Sequence, residues 1–133
     1  MPVEQDLPHG VLATRTLAMP TNTNPAGDVF GGWLLSQMDI AGGIMAHRRA
    51  GGRVATIAVN SMEFHRPVFV GDVVSCYATI ERVGRTSLTV HIEAWAAQRD
   101  GDHQTKVTEG KFTFVAIDQA RQPRPVPAES ETR

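Results

Sequence analysis

Residues 31–49 read GGWLLSQMDIAGGIMAHRR, and this stretch decides the fold. Its apolar residues recur at the three- and four-residue spacing of an α-helix, no proline interrupts them, and Gly51-Gly52 ends the run. The recurring positions are Leu34, Leu35, Met38, Ala41, Ile44 and Met45. The pattern predicts one helix of about five turns. Because apolar residues cover most of its circumference, we expect the helix to be buried.

Strand patterns lie on both sides of this helix. Residues 10–19 form a β-branched and apolar run, and residues 20–28 carry the prolines and asparagines of a turn. After the helix, alternation predicts four strands joined by short turns. They cover residues 54–64, 73–83, 88–96 and 105–118, with turns at 71–72, 84–85 and 100–102. The order indicates an α+β fold, in which a three-turn meander builds an antiparallel five-stranded sheet against one long helix.

The length of 133 residues fits a single domain over residues 1–133, with its core at about 10–118. Residues 119–133 are rich in proline and charge, so we expect this tail to fray. One helix and five strands leave a thin core and open sheet edges. Both features predict a homo-oligomer, most simply a C2 dimer.

Charge and composition exclude several classes of partner. The 13 Lys and Arg nearly balance 14 Asp and Glu, so nothing indicates binding to nucleic acid or to an anionic membrane. Residues 1–9 contain Glu4 and Asp6 but no apolar run, which argues against a signal peptide. No stretch approaches the roughly 20 apolar residues of a membrane span. The single cysteine, Cys76, lies in an alternating run and is expected to be a buried structural thiol of a cytoplasmic protein.

One carboxylate stands out inside the helix. Asp39 lies two turns into an otherwise apolar segment, where an unpaired charge is costly. The neighbouring Gly42 and Gly43 would open a groove through which a substrate could approach. Asp39 could equally face water or pair with Arg48 or Arg49, and the pattern alone leaves both interpretations open.

The start of the helix carries a second group of candidates. Asn24 precedes the helix, where asparagine usually forms a turn or an N-cap, although its amide can also hold a water molecule. Gly31 and Gly32 begin the helix, so their N–H groups lie at the positive end of its dipole. Such N–H groups suit an oxyanion, and glycine permits a close approach.

Four separate blocks resemble one known family. Residues 24–39, NPAGDVFGGWLLSQMD, resemble the signature of the YciA-type acyl-CoA thioesterases of the hotdog-fold superfamily. Weaker matches follow in the same order, over about residues 11–127: NSMEF at 60–64 with Pro67 and Gly71-Asp72, VGRTS at 83–87, and FTFVA at 112–116. The resemblance implies a curved sheet wrapped around the central helix. It also implies active sites at a dimer interface, often with three dimers gathered into a hexamer.

The resemblance implies hydrolysis of acyl-CoA to a free acid and coenzyme A. Asp39 would be the catalytic carboxylate, acting as a general base on water or as a nucleophile that forms a mixed anhydride. Asn24 would position the water, from the same subunit or from its partner. Gly31 and Gly32 would polarise the thioester oxygen. Because coenzyme A is part of the substrate, no separate cofactor is expected.

Two basic segments are candidates for holding coenzyme A. The turn Gly84-Arg85-Thr86-Ser87 offers a guanidinium fork with hydroxyl and N–H donors, which suit phosphate. His65 and Arg66 form a second basic pair near the end of a strand. Either segment could instead be a solvated turn.

A metal site is not expected. The histidines considered show no ligand spacing with Asp or Glu. They are His9, His47, His91 and His103. No GxSxG motif is present either, so Asp39 does not belong to a Ser-His-Asp triad.

Two alternatives to a thioesterase remain. A non-catalytic module that binds or senses acyl-CoA would keep the Arg85 turn but tolerate loss of Asp39. A hotdog hydratase or dehydratase would need an Asp-His or His-Glu pair near the start of the helix. No histidine lies between Asn24 and Asp39, which disfavours the second alternative.

Overall fold

The structure is a computed structural model, and it describes residues 7–101 and 103–129. Three stretches named above lie outside the described residues. They are residues 1–6, where no signal peptide was expected, Asp102 of a predicted turn, and residues 130–133 of the predicted tail. Within the described residues, no helix combines the length and the apolar character needed to cross a bilayer.

One long helix and five strands make up the chain. Strand β1 (Val11–Leu17) leads through a 3-10 turn (Pro20–Asn22) to α1 (Gly31–Ala50). Four strands follow, namely β2 (Val54–Phe64), β3 (Asp72–Val83), β4 (Ser87–Gln98) and β5 (Gln104–Ala116). All pair antiparallel in one sheet, and α1 packs against all five, so the sheet curves around the helix. The predicted α+β architecture is confirmed.

The strand order corrects the predicted meander. The sheet runs β1-β3-β4-β5-β2, so β2 pairs with β5 at an edge and not with β3. Residues 65–71 therefore cross the end of the sheet instead of reversing in a tight hairpin. Val68, within this crossing, is buried, and its carbonyl accepts a hydrogen bond from the N–H of Val29 at 2.9 Å. The crossing is thus tied to the loop that precedes α1.

Helix α1 is buried on one face only. Its buried residues are Leu34, Met38, Ala41, Gly42, Ala46 and Ala50. The side chains of Ile40 and Ile44 are 52% and 37% exposed on the opposite face. The expectation that the whole helix is buried is therefore wrong for a single chain, because one sheet can cover only one face of a helix.

Gly42 marks the closest approach of helix and sheet. A Cβ atom at this position would lie 2.6 Å from Ile92 Cδ1 and 3.0 Å from the ring of Phe114. A Cβ atom at Gly43 would lie 3.8 Å from the same ring, in ordinary contact. The groove expected beside Gly42 is therefore filled by the core, and this glycine serves close packing and not substrate access.

The C-terminal segment corrects a second expectation. Residues 119–127 do not fray but lie along the end of the sheet and the C-terminal end of α1. The N–H of Val126 donates to the carbonyl of Arg85 at 2.8 Å. Arg49 Nη1 donates to the carbonyl of Pro127 at 2.7 Å. Hydrogen bonds to its backbone thus hold a segment whose composition alone is typical of disorder.

Cys76 is a buried thiol, as predicted. It lies on β3 with no exposed surface. Burial raises the pKa of the Cys76 thiol to about 11, because the thiolate would lose its hydration. At neutral pH the residue is therefore a small apolar core group and not a nucleophile.

The two adjacent helix glycines should respond oppositely to alanine. Gly43→Ala should raise the free energy of unfolding by about 0.5–1 kcal/mol, because alanine favours the helix and meets no clash. Gly42→Ala gains the same propensity but overpacks Ile92 and Phe114, which typically costs about 1–3 kcal/mol. Urea unfolding at one fixed protein concentration measures the difference. A Gly42→Ala variant as stable as Gly43→Ala would show that the helix is not held this closely to the sheet.

Candidate active site

The loop before α1 is closed by hydrogen bonds centred on Asn24. Its Oδ1 accepts from the N–H groups of Ala26 at 2.9 Å and Asp28 at 3.1 Å. Its own N–H donates to the carbonyl of Asp28 at 2.7 Å. The side-chain oxygen thus has the turn-forming role that asparagine usually plays. Asn24 can hold a water molecule only as a donor, through Nδ2, and not by donating and accepting together.

The N-terminus of α1 has free N–H groups, as the sequence suggested. Phe30 occupies the N-cap and supplies no side-chain acceptor, and the first turn contains no acidic residue. Among the described residues, no acceptor binds the N–H of Gly31 or Gly32. A Cβ atom at Gly32 would meet only open space. Two N–H donors at the positive end of the helix are therefore accessible to an oxyanion.

A cleft of about 360 Å³ lies beside this helix end. Its lining includes Asn24, Gly31, Leu34, Phe64, Arg66 and Val68. The ring of Phe64 lies 3.4 Å from where a Cβ atom on Gly31 would stand, so an aromatic wall lies beside the first residue of the helix. The cleft therefore combines an apolar wall with helix N–H donors, an amide and a guanidinium.

Asp39 lies outside the lining of this cleft. It is eight residues beyond Gly31, which places it about 12 Å along the helix axis. Its side chain is half-buried, and its Oδ1 accepts a hydrogen bond from Thr56 Oγ1 at 2.6 Å. It pairs with neither Arg48 nor Arg49. Asp39 is thus oriented towards β2, the edge strand, by a neutral hydroxyl that leaves its charge uncompensated.

The Arg85 turn lies at the other end of the helix. Its backbone is fixed by Gly84 N–H donating to Ser87 O at 2.7 Å and by the N–H of Ala116 donating to Thr86 O at 2.8 Å. The carbonyl of Arg85 contacts the C-terminal segment, which itself binds the last turn of α1. A 20-residue helix is about 30 Å long, so the turn and the Gly31 cleft are separated by roughly that length.

His65 and Arg66, predicted as a basic pair, are directed to different surroundings. The His65 ring lies against Glu109 on β5, with Nε2 2.9 Å from Oε2. Arg66 lines the cleft at the helix N-terminus and a second cleft of about 390 Å³ beside Phe69 and His103. Both residues line the cleft at the helix N-terminus, and Arg66 also lines the second cleft.

The histidines correct one premise about metal ligands. His91 lies within ligand spacing of Glu93 and Glu109, and His65 within that of Glu63 and Glu109. The sequence did carry this signal, because His91 and Glu93 are alternate residues of one strand and therefore share a face of the sheet. Lys106 Nζ lies 3.2 Å from Glu109 Oε2 and 3.7 Å from Glu93 Oε2, so an ammonium already offsets part of the charge of these carboxylates. The absence of a resident metal stays a prediction.

Sequence reasoning missed Thr56 and Phe64, which face Asp39 and Gly31 respectively. Both belong to β2, and alternation places them on one strand without indicating that the strand runs past the helix. In a single chain the candidate groups form three separate sets. The first is the cleft lined by Asn24, Gly31, His65 and Arg66. The second is Asp39 with Thr56, and the third is the Arg85 turn.

Comparison with known proteins agrees with this fold. Residues 26–101 match the family model described as the thioesterase superfamily. The acyl-CoA thioester hydrolase YciA of Escherichia coli K12 is 48% identical over 132 residues, covering 97% of this chain and all of the relative. The hexameric thioesterase y2039 of Yersinia pestis superposes with a TM-score of 0.88 at 52% identity, covering 92% of this chain and 99% of that one.

A more distant structure shares the same fold. The hexameric hotdog-fold thioesterase Cj0915 of Campylobacter jejuni superposes with a TM-score of 0.83 at 38% identity, covering 89% of this chain and 91% of that one. The match to the family model covers α1 and the strands β2, β3 and β4. The chain therefore belongs to the thioesterase superfamily, as a YciA-type member with the hotdog fold.

Proposed function

We propose that this protein hydrolyses the thioester of short- to long-chain acyl-CoA, releasing the free acid and coenzyme A. The observation that carries the proposal is the uncapped N-terminus of α1, where the N–H groups of two glycines are free and Gly31 lines a cleft with an apolar wall. The close identity to acyl-CoA thioester hydrolases supports it. Neither a purely binding module nor a hydratase finds comparable support among the relatives.

In the proposed reaction, the N–H groups of Gly31 and Gly32 bind the thioester oxygen and stabilise its negative charge when the carbonyl carbon becomes tetrahedral. Asp39 of the other copy in a dimer takes a proton from a water molecule whose oxygen attacks that carbon, and Asn24 Nδ2 donates to the same water. The C–S bond then breaks, and the coenzyme A thiolate takes the proton that Asp39 had accepted, which restores the carboxylate. Thr56 holds the carboxylate in one orientation.

A covalent route uses the same residues. The Asp39 carboxylate would attack the carbonyl carbon and expel the thiolate, which leaves a mixed anhydride. Water would then hydrolyse the anhydride and restore the carboxylate. The hydrogen bond from Thr56 occupies Oδ1, so Oδ2 would be the attacking atom, or the proton acceptor in the first route.

We further propose a homodimer with shared sites, assembled as a trimer of dimers. Exposed apolar side chains on one helix face, Ile40 and Ile44, and on the edge strand β2, Ile57 and Val59, support an extensive contact with another copy. The hexameric thioesterases of Yersinia pestis and Campylobacter jejuni support the number of subunits. A partner copy would also supply the groups that one chain keeps apart.

The ligand in this proposal is a small molecule, with no nucleic-acid or membrane partner. Coenzyme A belongs to the substrate and product, so the reaction needs no further cofactor. Arg85, Thr86 and Ser87 would bind its phosphates from one side, and Arg66 from the cleft. The cytoplasmic location inferred from composition stays a prediction.

Replacing the helix carboxylate tests the reaction. Asp39→Asn should leave the fold and the oligomer intact and lower kcat by about 10²–10⁴-fold, because the amide neither accepts the proton nor attacks the thioester. The measurement is release of coenzyme A from acyl-CoA of several chain lengths, followed with a thiol reagent. Glu81→Gln, which removes an exposed carboxylate on β3, is the matched control and should retain parental turnover. Activity of Asp39→Asn within a few-fold of the parent would reject its role.

The Arg85 turn should bind the nucleotide part of coenzyme A and not the acyl chain. Arg85→Ala should raise KM for every acyl-CoA by a similar factor and affect kcat less, because uniform binding is lost. The penalty should shrink for an acyl-pantetheine, which lacks the nucleotide phosphates, and at higher salt. Arg82→Ala, an exposed arginine on the same hairpin, is the control. A penalty that depends on chain length, or that is equal for the pantetheine ester, would make the turn purely structural.

A further inference from the structure

The backbone hydrogen bonds directly after β2 depart from the regular pattern of the sheet. The N–H groups of His65 and Arg66 both donate to the carbonyl of Val107, at 2.7 Å and 3.2 Å. Two consecutive residues that share one acceptor form a bulge-like irregularity, which re-aims the side chains on either side of it. The backbone of Arg66 is therefore held by the sheet, although its side chain reaches into the clefts.

The side chain of His65 is the second anchor of this segment. Its Nε2 lies 2.9 Å from Glu109 Oε2, on the neighbouring strand β5. Glu109 also receives Lys106 Nζ at 3.2 Å and His91 Nε2 at 3.3 Å. Partial burial raises the pKa of Glu109, but the hydrogen bonds from His65, Lys106 and His91 outweigh it and lower the pKa overall. Glu109 is therefore a fixed anion to which His65 can donate.

The network behind Glu109 is rigid. Lys106 lies 3.7 Å from the Oε2 of Glu93, a carboxylate whose residue is only 5% exposed. The other oxygen of Glu93 accepts a hydrogen bond from the buried Trp95 Nε1 at 2.9 Å. Side chains whose rotamers are fixed by burial and hydrogen bonds transmit position better than exposed pairs. The anchor of His65 therefore extends into the packed face of β4 and β5.

The contact of His65 with Glu109 would fix the position of Arg66, the next residue in the chain. Arg66 lines both the cleft at the helix N-terminus and the adjoining cleft beside Phe69. Among the described residues, no carboxylate pairs with its guanidinium. A free arginine between two clefts suits a phosphate group, and a fixed backbone lowers the entropy lost on binding it.

We propose that Glu109, acting through His65, is a positioning residue that holds Arg66 at the junction of the two clefts to bind a phosphate of coenzyme A. The inference rests on the proposed function for the identity of the ligand. It goes further in assigning a role to Glu109, which lines neither cleft and holds the His65 ring. His65 lines the first cleft, but its Nε2 is turned to Glu109, so in this proposal it supports the phosphate contact of Arg66.

The test compares His65→Ala with His65→Gln, because a glutamine amide can still donate to Glu109 and alanine cannot. His65→Ala should raise KM for acyl-CoA, and weaken binding of free coenzyme A by calorimetry, by about tenfold, the scale of one charge-assisted contact. The kcat value should change less than about twofold, and acyl-pantetheine should be unaffected. His65→Gln should recover most of the loss. Lys111→Ala, on the same strand as Glu109, is the control and should match the parent.

A double-mutant cycle identifies the arginine. Arg66→Ala should carry the same KM penalty, and adding His65→Ala to it should cost nothing more, because both changes remove one contact. Additive penalties, no effect of His65→Ala, or no recovery in His65→Gln would each overturn the inference. If the parent protein binds free coenzyme A and the variants weaken that binding as expected, but no acyl-CoA is hydrolysed, only the proposed function is rejected. If the parent protein does not bind coenzyme A, both the proposed function and this inference are rejected.

Discussion

The close packing of α1 against the concave face of the sheet fixes most other features of this molecule. At Gly42 the helix backbone approaches Ile92 and Phe114 so closely that a single methyl group would collide. This contact sets the helix axis relative to the strands. The N-terminus of the helix then meets the crossing segment 65–70, and Asp39 comes to face Thr56 on the edge strand. Core packing thus determines where the polar groups stand.

The same geometry separates the groups that thioester hydrolysis needs. The free N–H donors open on one cleft, the carboxylate lies about 12 Å further along the helix, and the Arg85 turn lies at the opposite helix end. One chain therefore offers parts of a site at several places. In the proposed dimer, a second copy lies against the exposed helix face and the β2 edge. There it would bring its own parts to the first copy, which explains why the apolar side chains are left uncovered.

Much of the fold could be predicted from the sequence because its signals are local. The helix starts at Gly31 and ends before Gly51 as the periodicity and the glycines indicated, and the strands match the alternating runs. The strand order could not be predicted, because the β2–β5 pairing joins residues far apart in the chain. The tail was misjudged for a similar reason. Its composition is typical of disorder, but hydrogen bonds to Arg85 and Arg49 hold it.

In the candidate site, too, some features are visible in the sequence and others depend on the folded chain. A lone carboxylate in an apolar helix and two glycines at its start are visible in the sequence. The structure leaves the glycine N–H groups free and places Asp39 against Thr56. The partner of Asp39, and the turn around Asn24 that occupies its amide oxygen, depend on the folded loop and strand. The pairing of His65 with Glu109 also crosses two strands. Local patterns therefore indicated the candidate groups but not the residues that orient them.

The central claim is that each active site combines residues from two copies of the chain, and mixing two inactive variants tests it most directly. Asn24→Ala and Asp39→Asn chains with different affinity tags would be unfolded, mixed in equal amounts and refolded. If Asn24 and Asp39 of one site come from different subunits, mixed dimers regain one intact site, and about a quarter of parental activity should return for random pairing. If mixed dimers are recovered through both tags and remain inactive, the two residues belong to one chain and the shared-site account is contradicted.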